Sequence, residues 1–310
     1  MAEQAHALRR HGAAHPLVVL LPKDLPAGVE QPLLDDAAAH GTGAHGSFTV
    51  SVERVDRLFY APGWTTAGCR YWWLNAAGHY AELEQSLNKL WAFSLTRFAM
   101  VVYLDADVLP LAAPDELFAL RGAQQRTLRV SAHAIPSVEH SRPQARSVRA
   151  PLFAAAPDWG RHGGDAPGFN AGVFAATPCD GLLQQLLALA ASPSHAHAAR
   201  CNRRGTADQP LLQYYFGLDT LGLPMRYNML QPGLAARPRL GDTYPPVLLH
   251  FTKLKPWEAY GDAAGSAQPG MADWAAVCDE LRCCDVAGVC GPRRDTRPRG
   301  PHFRREAAGS

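Results

Sequence analysis

Short apolar runs alternate with amphipathic stretches along most of the chain. The apolar runs are bounded by proline, glycine or charged residues, which is typical of buried strands; they cover 17–21, 48–55, 100–104, 172–176, 225–227 and 247–251. Stretches with apolar residues three or four positions apart predict helices; they cover 2–11, 31–39, 82–98, 180–191, 207–216 and 271–281. Because strands and helices alternate, we predict an α/β fold with a mostly parallel central sheet.

The pattern also predicts how the chain is divided. Residues 100–104 (MVVYL) are typical of a strand that is covered on both faces. Residues 59–80 predict a structured loop, and 122–168 predict an irregular excursion with a strand near 128–132. After about residue 260 the composition shifts to glycine, alanine and proline, and the last twenty residues are basic. We therefore predict a main domain over 1–260, followed by a C-terminal helix and a basic, disordered tail over 261–310.

Composition and charge exclude several classes of protein. With 47% hydrophobic and 19% charged residues, the 310-residue chain has the composition of a packed globular protein. Thirty basic and 28 acidic residues leave a net charge of +2, which is too small to drive nucleic-acid or anionic-membrane binding. The apolar runs are far shorter than the roughly 20 residues of a membrane span. We expect a cytoplasmic protein as the chain stands, or a Golgi protein if an anchor precedes Met1.

The seven cysteines change this picture little. An odd number in a chain of this length does not indicate a disulfide framework. Four cysteines between 278 and 290 lack the paired C-x2-C spacing that usually builds a zinc site. Reduced thiols or an incidental bridge are the preferred interpretation.

The sharpest chemical signal is the pair Asp105 and Asp107, which follows the run at 100–104. Residues two apart in an extended chain face the same side, so both carboxylates should project together. Ligands of open α/β sheets bind beyond the carboxyl ends of the strands, and carboxylate oxygens suit Mg²⁺ or Mn²⁺. The alternative is that these residues cap a turn or the next helix.

A second signal is His250, which ends the apolar run at 247–249 and precedes Lys253, Lys255 and Trp257. An imidazole in the same site would favour Mn²⁺ over Mg²⁺, and the lysines could pair with phosphate oxygens. Because the chain contains thirteen histidines, a hydrogen-bonded histidine at a strand end is the alternative.

Two polar groups stand at the beginnings of other elements. Asn170 leads into an apolar run, and its amide can exchange hydrogen bonds with hydroxyl groups. Asp208 and Gln209 lie in the first turn of the helix at 207–216, where Asp208 could equally pair with the helix dipole.

Six sequence blocks, taken in order, resemble glycosyltransferase family 8 and its glycogenin-like members. The blocks cover 89–111, 114–118, 169–174, 207–216, 223–228 and 248–257. The resemblance implies a Rossmann-like nucleotide-diphospho-sugar transferase fold and a retaining hexosyltransferase that uses Mn²⁺. The donor would be UDP-glucose, UDP-galactose or UDP-glucuronate, and the acceptor a carbohydrate, lipid or protein. A homodimer is an open alternative to a monomer.

The resemblance also implies roles for particular residues. The metal ligands would be Asp105, Asp107 and His250. The donor would be bound by Lys89, Asp105, Asp158, Asn170, Ala171 and Lys255, with Lys255 on the diphosphate. Asp208 and Gln209 would flank the anomeric carbon as the catalytic pair. Asp158 matches its surroundings better than Asp165 does.

The sequence departs from the family pattern in three places, and each departure changes what we expect of the fold or the function. The family's first strand and nucleotide-binding loop would precede the helix at 2–11, so this strand is expected to be missing. His250 and Lys255 are one residue closer than in the family pattern. Residues 228–247 have no tyrosine at the self-glucosylated position, since Tyr244 lies too near the last strand, so we expect a non-self acceptor.

Two other functions are weighed against this one. A non-catalytic relic that binds nucleotide sugars would also fit the missing strand. The strand followed by Asp-Ala-Asp also suits phosphatases of the haloacid dehalogenase type. Such phosphatases need a second carboxylate after a downstream Gly-Asp pair, and Gly241-Asp242-Thr243 offers none.

Overall fold

The computed structural model describes residues 1–40, 48–58, 86–122, 152–158, 168–191, 208–231, 234, 244–252, 255–259 and 269–280. The helices in this part of the chain are α1 (Ala2–Arg10), α2 (Gln31–His40), α3 (Asp180–Ala191), α4 (Asp208–Phe216), α5 (Pro256–Ala259) and α6 (Met271–Glu280). The strands are β1 (Leu17–Pro22), β2 (Val50–Val55), β3 (Val101–Leu104), β4 (Val108–Pro110), β5 (Phe153–Pro157), β6 (Phe169–Ala176), β7 (Leu221–Gly222), β8 (Met229–Leu230) and β9 (Leu248–His250). Four 3-10 segments cover Ser86–Ser94, Asp115–Gly122, Gly217–Asp219 and Met225–Tyr227.

The strands form three hydrogen-bonded sheets, in the orders β1-β2, β3-β6-β5-β7 and β4-β9-β8. The pairs β1–β2, β5–β7 and β8–β9 are parallel, whereas β3–β6, β5–β6 and β4–β9 are antiparallel. The α/β class is confirmed, but the described strands are evenly mixed and not mostly parallel. The reason is the long strand β6, which both β3 and β5 flank in the opposite direction.

Aromatic residues fill the core on one face of the β6 sheet. The rings of Phe93 and Phe174 stack 5.6 Å apart, and those of Phe153 and Phe216 stack 3.9 Å apart. Leucines of α3 and α4 pack around them. The other face of this sheet is covered by a second cluster that includes Val108, Tyr227 and Leu248. β6 is consequently buried along its whole length.

The strand β3 departs from its predicted environment. It was expected to be covered on both faces, yet all four of its residues are only partly buried. Within the described residues β3 pairs with β6 alone, so its other edge has no strand beside it. Its edge position among the described strands explains why β3 is less buried than β6.

Most predicted elements are confirmed, and the differences have local causes. The predicted helix over 82–98 is a 3-10 segment over Ser86–Ser94; Leu87, Leu90 and Phe93 are fully buried at spacings of three, which is the period at which 3-10 side chains align. The predicted strand over 225–227 is a 3-10 turn that begins after Pro224, and pairing starts only at Met229.

The sequence pattern did not predict four other strands of the structure. β5 lies in the stretch predicted to be irregular, because its sequence FAAAP has no β-branched residue and little alternation. β4, β7 and β8 are only two or three residues long. The predicted loop at 59–80, the strand near 128–132 and the C-terminal tail lie outside the described residues.

The C-terminal helix α6 packs on the main body of the chain. Met271, Trp274 and Val277 share an apolar cluster with Leu249 and Phe251 beside β9. The division at residue 260 stays a prediction. Of the cysteines, Cys179 is exposed and Cys278 is buried, and the other five lie outside the described residues. No helix in the described part of the chain has the length and apolar character needed to cross a membrane.

Candidate active site

The two aspartates lie in the turn that joins β3 to β4. Asp105 follows β3 directly, and its N–H donates to the carbonyl oxygen of Gly172 at 2.7 Å. Asp107 precedes β4, and its carbonyl oxygen accepts from the N–H of Phe251 at 2.9 Å. Gln4 of α1 closes the turn, because its Nε2 donates to the carbonyl oxygens of Asp105 and Val108 at 2.6 and 2.8 Å. The backbone of the turn is therefore fixed by hydrogen bonds to three separate segments, α1, β6 and the residue after β9.

His250 reaches this turn because β9 pairs with β4. Val108 lies opposite His250 in the antiparallel register, one residue after Asp107. Nε2 of His250 lies 3.2 Å from Oδ1 of Asp107, and the imidazole is buried. The ring packs on the backbone of β6 at Gly172, where an added Cβ would lie 2.0 Å from Cε1. Only glycine leaves room for the ring at this position.

These three side chains fit a divalent cation. Two carboxylates and one imidazole can each offer one ligand atom, and the three atoms lie within 4.8 Å of one another. Oxygen ligands with one nitrogen suit Mn²⁺, and Mg²⁺ is the alternative. The second ring nitrogen of His250 is also hydrogen-bonded, as is usual for a histidine that binds a metal.

Lys255 approaches the same site from the segment after β9. Its Nζ forms an ion pair with Oδ2 of Asp107 and donates to the carbonyl oxygen of Phe251 at 2.9 Å. Burial by itself would raise the pKa of Asp107, but the hydrogen bond and charge of His250, together with Lys255, outweigh it and hold that pKa well below its usual range. Asp107 is therefore a carboxylate over the whole neutral range.

A buried lysine joins the other carboxylates. Lys89, in the Ser86–Ser94 segment, is 8% exposed and forms an ion pair with Asp208. Its Nζ also lies 3.1 Å from Oδ1 of Asp105 and 3.2 Å from the carbonyl oxygen of Ala171. Burial disfavours the charged lysine, but Asp105 and Asp208 outweigh it and raise its pKa. Lys89 therefore carries a fixed positive charge between two carboxylates.

Asp208 itself is buried at the first position of α4. Burial raises its pKa, and the positive charge of Lys89 opposes this effect. The next residue, Gln209, links two further segments: its Oε1 accepts from the N–H of Ala171 at 3.1 Å, and its Nε2 donates to Oδ2 of Asp158 at 3.0 Å. The start of α4 is thus tied to both β5 and β6.

Every site residue that the sequence predicted lies in one connected set of contacts. Lys89 contacts Asp105, Asp208 and the carbonyl oxygen of Ala171, and Asp107 contacts His250 and Lys255. Gln209 adds Asp158, and Asn170 completes the set through a hydrogen bond from Asn228. The contacts establish that these residues are neighbours, while their individual roles remain predictions.

Sequence reasoning missed several supporting residues. Tyr103 donates from its hydroxyl to Oδ1 of Asp105 at 3.0 Å, and strand alternation places the two on the same side. Burial, together with the charge of Asp105, raises the pKa of Tyr103 well above its usual value, so it remains a donor. Gln4, Gly172 and Asn228 carried no signal of their own, because each acts through a contact between distant segments.

The family model of Glycosyl transferase family 8 matches residues 86–261, which is more than half of the chain. The chain therefore belongs to this family. The match spans the site from Lys89 to Lys255, so the family resemblance seen in the sequence is confirmed.

Solved structures give more remote likenesses, each at 14–15% sequence identity. The apo structure of the bifunctional glycosyltransferase WbbM has a TM-score of 0.47 and covers 89% of this chain and 49% of its own. The apo form of GlyE from Streptococcus pneumoniae has a TM-score of 0.45, with coverages of 89% and 64%. Mouse xyloside xylosyltransferase 1 has a TM-score of 0.45, with coverages of 83% and 94%. The chain therefore spans about half of WbbM and under two thirds of GlyE. No curated protein matches the sequence.

Proposed function

We propose that the chain transfers a hexose from a UDP-sugar to a hydroxyl group of an acceptor other than itself, with retention of configuration at the anomeric carbon. UDP-glucose, UDP-galactose and UDP-glucuronate are the candidate donors. The observation that carries the proposal is the convergence of Asp105, Asp107 and His250 within 4.8 Å in a chain of glycosyltransferase family 8.

Asp105, Asp107 and His250 would hold the Mn²⁺, or Mg²⁺ as the alternative. When bound, such a cation supplies Lewis-acid stabilisation of the negative charge on the departing diphosphate. Lys255 supports the same step, because its ammonium lies beside Asp107 and its side chain is 28% exposed. It can therefore pair with phosphate oxygens on the open side of the site.

Asp208 is the carboxylate best supported for the sugar side. It is buried, its position is fixed by Lys89, and Gln209 ties its helix to the Ala171 backbone. A carboxylate here would stabilise the positive charge that develops on the anomeric carbon, or attack it as a transient nucleophile. Asn170, Ala171 and Asp158 lie around the same point and would bind the sugar hydroxyls.

A shallow cleft offers a place for the nucleotide. It borders Asp107 and Ala106 and is lined on its other sides by Gln4, Phe251 and Trp257. The indole of Trp257 is 47% exposed, so it presents a free aromatic surface next to the metal ligands. An aromatic base could stack there while its diphosphate meets Lys255.

The test is transfer and hydrolysis of the three UDP-sugars with Mn²⁺, with Mg²⁺ and with a chelator. Activity should require the metal and vanish in Asp107→Ala, whereas Asp56→Ala removes an exposed aspartate that pairs with Lys23 and should leave activity intact. Full activity in Asp107→Ala would remove the proposal. Metal-dependent binding of a UDP-sugar without turnover in any condition would favour the non-catalytic alternative.

A further inference from the structure

A buried asparagine, Asn228, joins the metal ligands to the sugar side of the site. It lies between the Met225–Tyr227 turn and β8, and it is 2% exposed. Its Nδ2 donates to the carbonyl oxygen and to Oδ1 of Asn170, at 3.3 and 2.9 Å. Its Oδ1 accepts from Nδ1 of His250 at 2.8 Å. One amide therefore contacts a metal ligand and a donor-binding residue at once.

The neighbours of Asn228 determine which way its amide points. Oδ1 of Asn170 already accepts from the N–H of Gly172 at 2.9 Å, and the carbonyl oxygen of Asn170 can only accept. The end of Asn228 that faces these two oxygens must be its NH₂ group. Its oxygen is left facing His250, and since an amide oxygen cannot donate, Nδ1 of His250 carries the hydrogen.

An imidazole must be neutral to bind a cation, and in that form this arrangement leaves Nε2 as the atom with the free lone pair. Nε2 is the nitrogen that faces Asp107, at 3.2 Å. The ring has little freedom to turn away, because the backbone of Gly172 packs against it. A buried hydrogen bond on the far nitrogen and a close backbone contact thus direct Nε2 toward the carboxylates.

We propose that Asn228 is a positioning residue that fixes the Nδ1–H tautomer of His250, so that Nε2 faces the cation, and that it holds Asn170 in register with the metal ligands. The inference rests on the proposed function, since it adds a residue to the same site. It implies that cation binding and sugar binding are coupled through the two ends of one side chain.

Two substitutions separate the two ends. Asn228→Leu keeps the approximate shape and removes all three side-chain hydrogen bonds. Mn²⁺ should then bind about 10- to 100-fold more weakly, as expected for a lost partner of a metal-binding histidine. Asn228→Asp keeps an oxygen that accepts from Nδ1–H of His250. Its other carboxylate oxygen would face the carbonyl oxygen and Oδ1 of Asn170, and these oxygens repel one another. Mn²⁺ affinity should then be retained, while the KM for the UDP-sugar rises.

The matched control is Tyr227→Phe. Tyr227 is the preceding residue in the same turn, and its hydroxyl donates to Glu116, away from His250 and Asn170. Its loss should lower the melting temperature without changing Mn²⁺ affinity or KM. Mn²⁺ binding is measured by electron paramagnetic resonance, and each variant is checked for folding by its melting transition.

The tautomer is read from nitrogen NMR of the wild-type chain labelled at histidine, at alkaline pH, with His250→Gln to assign the signal. A hydrogen on Nδ1 supports the inference, and a hydrogen on Nε2 overturns it. A folded Asn228→Leu protein that binds Mn²⁺ as tightly as the wild type also overturns it. If the wild type binds no Mn²⁺ and turns over no UDP-sugar, the proposed function fails, while the tautomer still decides the role of Asn228.

Discussion

The imidazole of His250 packs directly against Gly172, and Gly172→Ala perturbs this contact. The new Cβ would lie 2.0 Å from Cε1, 2.6 Å from Nδ1 and 2.9 Å from Nε2. Carbon atoms in contact are about 3.5 Å apart, so the ring must move by about 1.5 Å. The hydrogen bond to Asn228 and the contact with Asp107 do not survive such a shift together.

Two effects of this substitution have predictable sizes. Overpacking at a buried site costs about 1–3 kcal/mol of unfolding free energy. A displaced imidazole also weakens the metal site, and we expect Mn²⁺ affinity to fall at least about tenfold, in the range seen when the surroundings of a ligand are disturbed. The φ angle of Gly172 lies outside the left-handed region, so backbone strain does not add to the effect.

The assay combines urea denaturation with a Mn²⁺ titration. Gly181→Ala in α3 is the matched control, because its Cβ would meet only the sulfur of Cys179 at an ordinary 3.8 Å. In a double-mutant cycle, His250→Ala should abolish the stability cost of Gly172→Ala, since the clash is gone. If Gly172→Ala costs as much without the imidazole as with it, the steric argument is wrong.

Three further predictions concern the charged groups of the site. Lys255→Ala should tighten Mn²⁺ binding about 30-fold in the absence of nucleotide, because a unit charge about 4 Å from a divalent ion is worth about 2 kcal/mol even in water. The same substitution should weaken binding of UDP, and separate titrations with each ligand measure both effects. Lys89→Met leaves two carboxylates without their buried partner and should lower the unfolding free energy by about 3–5 kcal/mol in urea denaturation, whereas an unchanged midpoint would contradict the assigned ion pairs. Asp107 has a lowered pKa in the folded protein, so the unfolded chain binds its proton first; unfolding free energy should decline as the pH falls below about 4, and Asp107→Asn should reduce that slope.

Local sequence patterns predicted the elements that bring the site together. The apolar run before Asp105 and the run that ends at His250 both form strands near the expected positions. What the pattern lacked was their pairing, because β4 is three residues long and has no alternation. The antiparallel register of β4 with β9 brings His250 beside Asp107, and such a register arises from contacts between distant segments.

The same limit explains which site residues were missed. Lys89 and Asp158 were recognised only through a family resemblance, whereas Asp208 was also noted in the first turn of a predicted helix. No spacing along the chain relates the three residues. Asn228 is an ordinary asparagine after a turn until His250 and Asn170 are placed on either side of it. Tyr103 is the exception, since strand alternation alone could have paired it with Asp105.

The helix α1 contacts both the β1–β2 ladder and the turn that carries Asp105. The β1–β2 ladder exchanges no strand hydrogen bonds with the other two described sheets, so its amide hydrogens can exchange with solvent in an opening event that leaves β6 closed. Ala5 of α1 packs on Val19 and Leu21 of that ladder. The neighbouring Gln4 donates a hydrogen bond to the carbonyl oxygen of Asp105. Local opening of the β1–β2 ladder would therefore disturb the turn that carries Asp105 and Asp107. A destabilising substitution in β1 should consequently lower the affinity for the donor, although β1 is not part of the site.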